Sequence, residues 1–342
     1  MRAEPSLAAS APSADSKGSV YRDLLRFSRF REWHPGKLPL VLGFAFSLEL
    51  SVPRTSHGTP LIAITYVLVC LFLATSYMLN NVADTTQDRA VAKRVGLDDW
   101  PLWARALPPA ITAVLGLGLG FAALPRAAAA ALVGCYVLAW VYSFPPRCKE
   151  HPFLGPIVAA FAQAPAPALA LALAWGAWPA TALVYLGVIF LYGVRMILVH
   201  QILDHDNDMR TATRTTATVL GIPTMFRMLR ALFAAELACT AVLLVLLAVA
   251  SLPSLLLVAL VWPAFLALLR LHRGERPRLD SYSWIPLADL HESLLPLLLA
   301  AAIAFRDGMA GFGAGLMLVV LFADRHLERL VRPLLRREYF DG

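Results

Sequence analysis

The sequence predicts an all-α fold, a polytopic transmembrane bundle of nine to ten helices, on three observations. Of its 342 residues, 58% are hydrophobic and 15% charged, with a mean hydropathy of +0.63; soluble domains hold about 45–50% apolar and about 25% charged residues. The apolar residues fall into long runs, and a helix of about 20 such residues crosses a bilayer. Lys and Arg gather between alternate runs, as they do when basic loops stay on the cytoplasmic side.

The runs lie near residues 38–53, 60–81, 103–124, 127–144, 154–176, 179–203, 227–250, 252–270, 286–305 and 309–323. The first is short and carries Glu49, and the last two form either two spans or one span and a partial hairpin. Ten spans and a cytoplasmic N-terminus leave only Arg54, Arg105, Arg126, Arg195 and Arg306 of the 30 Lys and Arg away from the cytoplasmic face. This is the orientation expected of a multi-pass protein of the cell membrane, with both termini cytoplasmic.

Residues 1–20 are small and polar without an apolar signal core, and are expected to be a disordered tail. Over 21–35, Arg22, Arg26 and Arg29 share a narrow helical face with Tyr21, Leu24, Leu25, Phe27 and Phe30 around the rest, the pattern of an interfacial amphipathic helix. Residues 36–324 form the membrane domain, and 325–342 a basic cytoplasmic tail. Anionic lipid accounts for the net charge of +7, so membrane lipids are expected partners and nucleic acid is not. Cys70, Cys135, Cys148 and Cys239 have no ligand spacing and suggest neither zinc nor disulfides.

Two segments carry the chemistry. After the second run, LNNVADTTQDRAVAKR sets Asn80, Asp84 and Asp88 four residues apart, on one helical face. After the sixth, VHQILDHDNDMRTATRTTATVLG repeats the spacing with His200, Asp204 and Asp208, and adds Asp206. Carboxylates at a membrane boundary are costly unless hydrated, paired or metal-bound. Two such faces on one side suit Mg2+ bound to a diphosphate, since Mg2+ takes one or two carboxylates plus phosphate oxygens. Lys93, Arg94, Arg147, Lys149, Arg210 and Arg214 lie on the same side and could complete a diphosphate clamp. Arg147 and Arg214 suit bidentate contacts better than a lysine does. Asp289, His291 and Glu292 open the ninth run on this side, as acceptor contacts or as a solvated helix start. Arg195, half a turn round from Asp204, faces elsewhere. His200 and Gln163 could border the cavity, and Pro165 and Pro167 kink the fifth run.

NxxxDxxxD after one span, DxxxD some 120 residues later, and YSFPPRCK (Tyr142 to Lys149) between them resemble the signature segments of the UbiA superfamily of intramembrane prenyltransferases, over residues 36–324. TATRTTATVLG, with Arg214 and Thr216, resembles the family's continuation of its second motif. Asn81 stands where many members carry an acid, and the Arg-Pro pair that often follows the first motif is absent. The resemblance implies that Asn80, Asp84, Asp88, Asp204 and Asp208 hold Mg2+ and diphosphate. It also implies transfer of an isoprenyl group from an isoprenoid diphosphate donor to a small-molecule or lipid acceptor. Tyr142 could stabilise the allylic cation or position the acceptor, or serve as an interfacial aromatic. A terpene cyclase using the donor alone is the alternative within the family. An ion-coupled transporter is disfavoured, because the acids lie at the boundary and not at the midplane.

Overall fold

The computed structural model describes residues 20–52, 58–90, 95–250 and 290–307, and these are helical with connecting turns. The helices are α1 (Val20–Phe27), α2 (Phe30–Gly36), α3 (Leu38–Ser51), α4 (Gly58–Ala83), α5 (Thr85–Ala90), α6 (Leu102–Ala123) and α7 (Arg126–Ser143). There follow α8 (Leu154–Gln163), α9 (Pro165–Trp175), α10 (Ala180–Leu203), α11 (His205–Arg210), α12 (Thr216–Leu220) and α13 (Ile222–Ala250). A π turn, Leu290–Leu294, leads into α14 (Leu295–Asp307). Five of these, α4, α6, α7, α10 and α13, are long and apolar enough to cross a membrane alone.

The run over 154–176 is a bent helix pair, together long and apolar enough for a broken span or a re-entrant loop. Pro165 starts a new helix after Ala164, and α8 and α9 meet at 41°; a proline lacks the N–H that would continue the helix and its ring crowds the preceding turn. Helix α10 packs on α13, α8 and α3, α4 packs on α6 and α7, and α14 packs on α3. Where backbones must approach, glycine permits it: a Cβ on Gly193 of α10 would lie 3.1 Å from the Cβ of Ala160 on α8. The expected spans at 252–270 and 309–323, the tails 1–19 and 325–342, and Lys93, Arg94 and Asp289 lie outside the described residues.

The N-terminal region departs from expectation. The amphipathic helix expected over 21–35 is divided at Ser28 and Arg29 into α1 and α2. Lys37 keeps helical dihedrals and its N–H donates to Trp33 O at 2.8 Å, so α2 runs on into α3. Trp33, His34, Pro35 and Gly36 are buried, and His34 Nε2 lies 3.5 Å from the hydroxyl of Tyr66, well inside α4.

The buried charges of this region gather deep in the bundle. Arg195 Nε and Nη2 donate to Glu236 Oε2 and Oε1 at 2.5 and 3.0 Å, joining α10 to α13 with both side chains fully buried. His291 Nε2 lies 3.1 Å from Glu236 Oε1, and Tyr192 donates its hydroxyl hydrogen to Glu292 Oε1. The Lys37 ammonium lies 5.5 Å from the Tyr192 ring centre, and Gly36 packs against the Glu292 carboxylate. Tyr192 precedes Asp204 by twelve residues, about 18 Å along a helix. His291 and Glu292 are thus not a solvated helix start: both are buried deep beside α10 and α13. At the other end of the bundle Glu49 is matched in the same way. Arg306 Nη2 donates to its Oε1 at 2.8 Å and Arg306 Nη1 to its carbonyl at 2.6 Å.

Breaking one partner of a buried ion pair strands the other charge. Arg195→Met or Glu236→Leu alone is expected to destabilise the protein by about 3–5 kcal/mol, seen as a lower Tm in detergent. The double variant R195M/E236L should recover most of that loss, and a double variant as unstable as the sum of the two singles would show that the pair is not the unit.

Candidate active site

Both acidic segments are built alike. Helix α4 stops at Ala83 and α5 starts at Thr85, yet the N–H of Asp84 donates to Asn80 O at 2.9 Å and that of Asp88 to Asp84 O at 2.8 Å. Helical bonding therefore crosses the break, and Asn80, Asp84 and Asp88 keep their shared face. The second segment repeats this between α10 and α11: Asp204 N–H donates to His200 O and Asp208 N–H to Asp204 O, each at 2.9 Å.

The first segment faces two cations of the loop after α7. Lys149 Nζ donates to Asn80 Oδ1 at 3.0 Å and also to Asp84 Oδ1. Arg147 Nη2 donates to the same Asp84 oxygen and to Gln87 Oε1, both at 3.1 Å, while Arg147 Nε lies 2.7 Å from Glu150 Oε1. Burial holds the Lys149 ammonium below the usual lysine range, against the pull of Asp84. Asp88 is buried on the same segment.

The loop is held from both sides. Arg147 adopts the left-handed conformation, φ 52°, uncommon for a residue with a Cβ, and a short turn over Cys148–Glu150 follows it. Gly155 lets α8 come up beneath that turn, for a Cβ there would lie 2.9 Å from Lys149 O and 3.1 Å from Cys148 O. Beyond the turn, Pro152 O accepts from the Thr216 hydroxyl, and Thr216 N–H donates to Gln201 Oε1 at 3.2 Å. One loop therefore grips the first acidic segment with its side chains and the continuation of the second through its backbone.

Below this mouth lies a cavity of about 110 Å³. Its wall on α4 is Asn80, Tyr77, Ser76, Leu73 and Phe72, the i, i−3, i−4, i−7 and i−8 positions of one face, so it descends about 12 Å from the acidic segment. Polar residues come first and apolar ones below. The other walls are Tyr142 and Ala139 of α7, Ala159, Ala162 and Gln163 of α8, and Arg29. Arg29, expected beside Arg22 and Arg26 on one narrow helical face, is turned away from them by its left-handed backbone, φ 52°. Its guanidinium lies 5.2 Å from the Tyr77 ring centre, and it pairs with Glu32.

Of the predicted site residues, Asn80 and Tyr142 line the cavity, and Asp84, Arg147 and Lys149 close its mouth. Asp204 is exposed and Asp208 half-buried, and Arg210 and Arg214 are exposed beside them. Burial raises the Asp208 pKa, with Asp204 adding to the shift and the Thr215 hydroxyl opposing it. Among the described residues no three His, Cys, Asp or Glu side chains converge as a ready-made metal site. His200 is exposed and is not part of the cavity wall. Ser76 and Tyr77 were legible in principle, since they precede Asn80 by four and three residues on its own face. Arg29 was not, because arginine carries no signal for a left-handed break.

Asn81, next to Asn80 in the first segment, faces the N-terminal segment. Its Nδ2 donates to Phe27 O at 2.7 Å and its own carbonyl accepts from Arg105 Nη2 at 3.4 Å. An amide can donate to a carbonyl; a carboxylate cannot.

Residues 38–288 match the model of the UbiA prenyltransferase family. The fold is similar to that of a UbiA homologue from Archaeoglobus fulgidus bound to GPP and Mg2+, at 20% identity and a TM-score of 0.58, covering 82% of this chain and 99% of that one. It is also similar to a UbiA homologue from Aeropyrum pernix K1, at 18% identity and a TM-score of 0.51, covering 79% and 97%. No curated protein matches the sequence.

Asn81→Asp is expected to set a carboxylate against the Phe27 carbonyl and weaken the seat of α1 by about 1–3 kcal/mol. Limited proteolysis of membranes should then cut faster around residues 20–29, and an unchanged cleavage rate would mean that this hydrogen bond does not hold α1.

Proposed function

Because the chain belongs to the UbiA prenyltransferase family, we propose that it transfers an isoprenyl group from an isoprenoid diphosphate to an acceptor within the membrane, at the mouth formed by Asp84, Arg147 and Lys149. The observation that carries this reading is the cavity. It begins at Asn80 among polar groups and continues down the α4 face to Leu73 and Phe72, matching a molecule with a charged head and an apolar tail.

The donor set fits Mg2+. Asn80 Oδ1 and Asp84 Oδ1 already converge on one cation, the Lys149 ammonium, and Mg2+ asks for only one or two protein oxygens beside water and phosphate. Asn80, Asp84 and Asp88, with Asp204 and Asp208 from the second segment, would hold it. Bound there, Mg2+ offsets the negative charge that develops on the leaving diphosphate.

The remaining work belongs to the chain. Arg147 presents a planar fork suited to two phosphate oxygens and Lys149 a single mobile charge, and Arg210 and Arg214, beside the second acidic segment, supply further positive charge. Fixed charges in a water-poor site stabilise the departing diphosphate as the allylic C–O bond breaks. Tyr142, on the cavity wall beside Asn80, offers its ring to the allylic cation. The acceptor then forms the new bond to the allylic carbon and releases a proton, while the apolar lower cavity excludes the water that would hydrolyse the donor. The chain is an integral membrane protein in this reading, with its mouth on the cytoplasmic side.

Asp84→Ala and Asp204→Ala should each lower Mg2+-dependent product formation by at least about a hundredfold without loss of membrane insertion. The assay uses membranes, isoprenoid diphosphates of several lengths and a panel of acceptors, with products identified by mass spectrometry. Undiminished turnover in either variant would overturn the assignment, and product formed from donor alone would make the enzyme a cyclase.

A further inference from the structure

The two loop cations are not equivalent. Arg147 is anchored at several points, on Asp84 Oδ1, Gln87 Oε1, Ala83 O and Glu150. Among the described residues Lys149 makes its hydrogen bonds to Asn80 Oδ1 and Asp84 Oδ1, the two oxygens of the first segment that would bind a metal. Its backbone is fixed, since α8 abuts the Lys149 carbonyl at Gly155 and the Pro152 carbonyl is bound by Thr216. Its side chain is a flexible four-carbon stem. The ammonium can therefore move by several ångströms while the loop stays still.

We propose that Lys149 is a tethered cation that holds the metal position of the first segment and gives it up only when a diphosphate arrives to receive the ammonium, so that metal and diphosphate load together. The proposal rests on the reading of this mouth as a diphosphate site. A divalent cation and an ammonium at the same two oxygens repel each other at close range, and the single negative charge of Asp84 is already spread over Lys149 and Arg147 before any metal arrives. A metal arriving alone must displace Lys149 from both oxygens, at the cost of its two hydrogen bonds to them. A metal arriving with a diphosphate brings the partner with it, as phosphate oxygens replace Asn80 and Asp84 around the ammonium. By linkage, whatever factor the diphosphate adds to metal affinity the metal adds to diphosphate affinity. Lys149 is a positioning residue in this scheme as well as part of the clamp.

The test is metal binding, not turnover. The full-length protein in lipid nanodiscs is titrated with Mn2+ alone, and free Mn2+ is followed by electron paramagnetic resonance for wild type, K149M, K149R and the double variant D84N/K149M. Removing one competing charge at hydrogen-bond distance in a partly buried site is expected to tighten Mn2+ binding about tenfold in K149M. K149R should stay near wild type, and the double variant should lose the gain. With inorganic pyrophosphate at fixed concentration, against a protein-free blank, Mn2+ affinity should rise more in wild type than in K149M. Should K149M not fold, K149Q removes the same charge and carries the same expectation. Mn2+ binding that depends on Asp84 but is no tighter in K149M or K149Q would overturn the exchange and leave the proposed function standing. Mn2+ binding indifferent to Asp84 in every variant, with or without pyrophosphate, would overturn both.

Discussion

The structure depends on matching charge with charge across different helices. Lipid is as apolar as a leucine side chain, so burial alone does not decide which helix faces which in a membrane, whereas an unmatched ion is expensive there. Arg195 and Glu236 fix α10 against α13, and His291 brings the π turn to the same carboxylate. Glu49 and Arg306 fix the far ends of α3 and α14. Asp84 with Arg147 and Lys149 fixes the end of α4 against the loop after α7. Each match joins segments distant in sequence, so together they specify the bundle more sharply than its leucines and alanines do.

The mouth is a special case of that rule. Its partners are not sealed inside the bundle but lie where a charged ligand can reach them, and the cations on Asp84 are of the kinds that bind phosphate. The loop that carries them is held by Gly155 beneath and by Thr216 beyond, so their placement does not depend on the ligand. The cavity under them gains its order from a single helix face, polar at Asn80, Tyr77 and Ser76 and apolar at Leu73 and Phe72. A positioned mouth above a graded slot is the geometry that the proposed donor, with a charged head and an apolar tail, requires.

Local periodicity was legible in the sequence and distant pairing was not. Spans α4, α6, α7, α10 and α13 could be read from hydropathy, and the shared faces of both acidic segments from their four-residue spacing, because both signals repeat within a turn or two of helix. The continuity of α2 with α3 was not legible, because Glu32, His34 and Lys37 interrupt the apolar pattern. Each of them has its partner elsewhere in the fold: Arg29 for Glu32, Tyr66 for His34, and the Tyr192 ring for Lys37. His291 and Glu292 were misplaced for the same reason, since a hydropathy window reads a charge without seeing what neutralises it. Asn81 was read as a missing acid, but its role follows from the Phe27 carbonyl 54 residues away.

Equal spacing in the two acidic segments conceals unequal surroundings, and the inequality has a physical use. Asp84 is neutralised by Arg147 and Lys149, while Asp204 is exposed at the end of α10. If protein cations neutralised both segments, little negative charge would remain to attract a metal. If they neutralised neither, two sets of carboxylates at one end of the bundle would repel each other and disfavour the closed arrangement of helices. With one segment held by cations that also suit phosphate and the other left to water, the bundle keeps its shape while uncompensated negative charge remains at its end, as the proposed joint loading of metal and diphosphate requires.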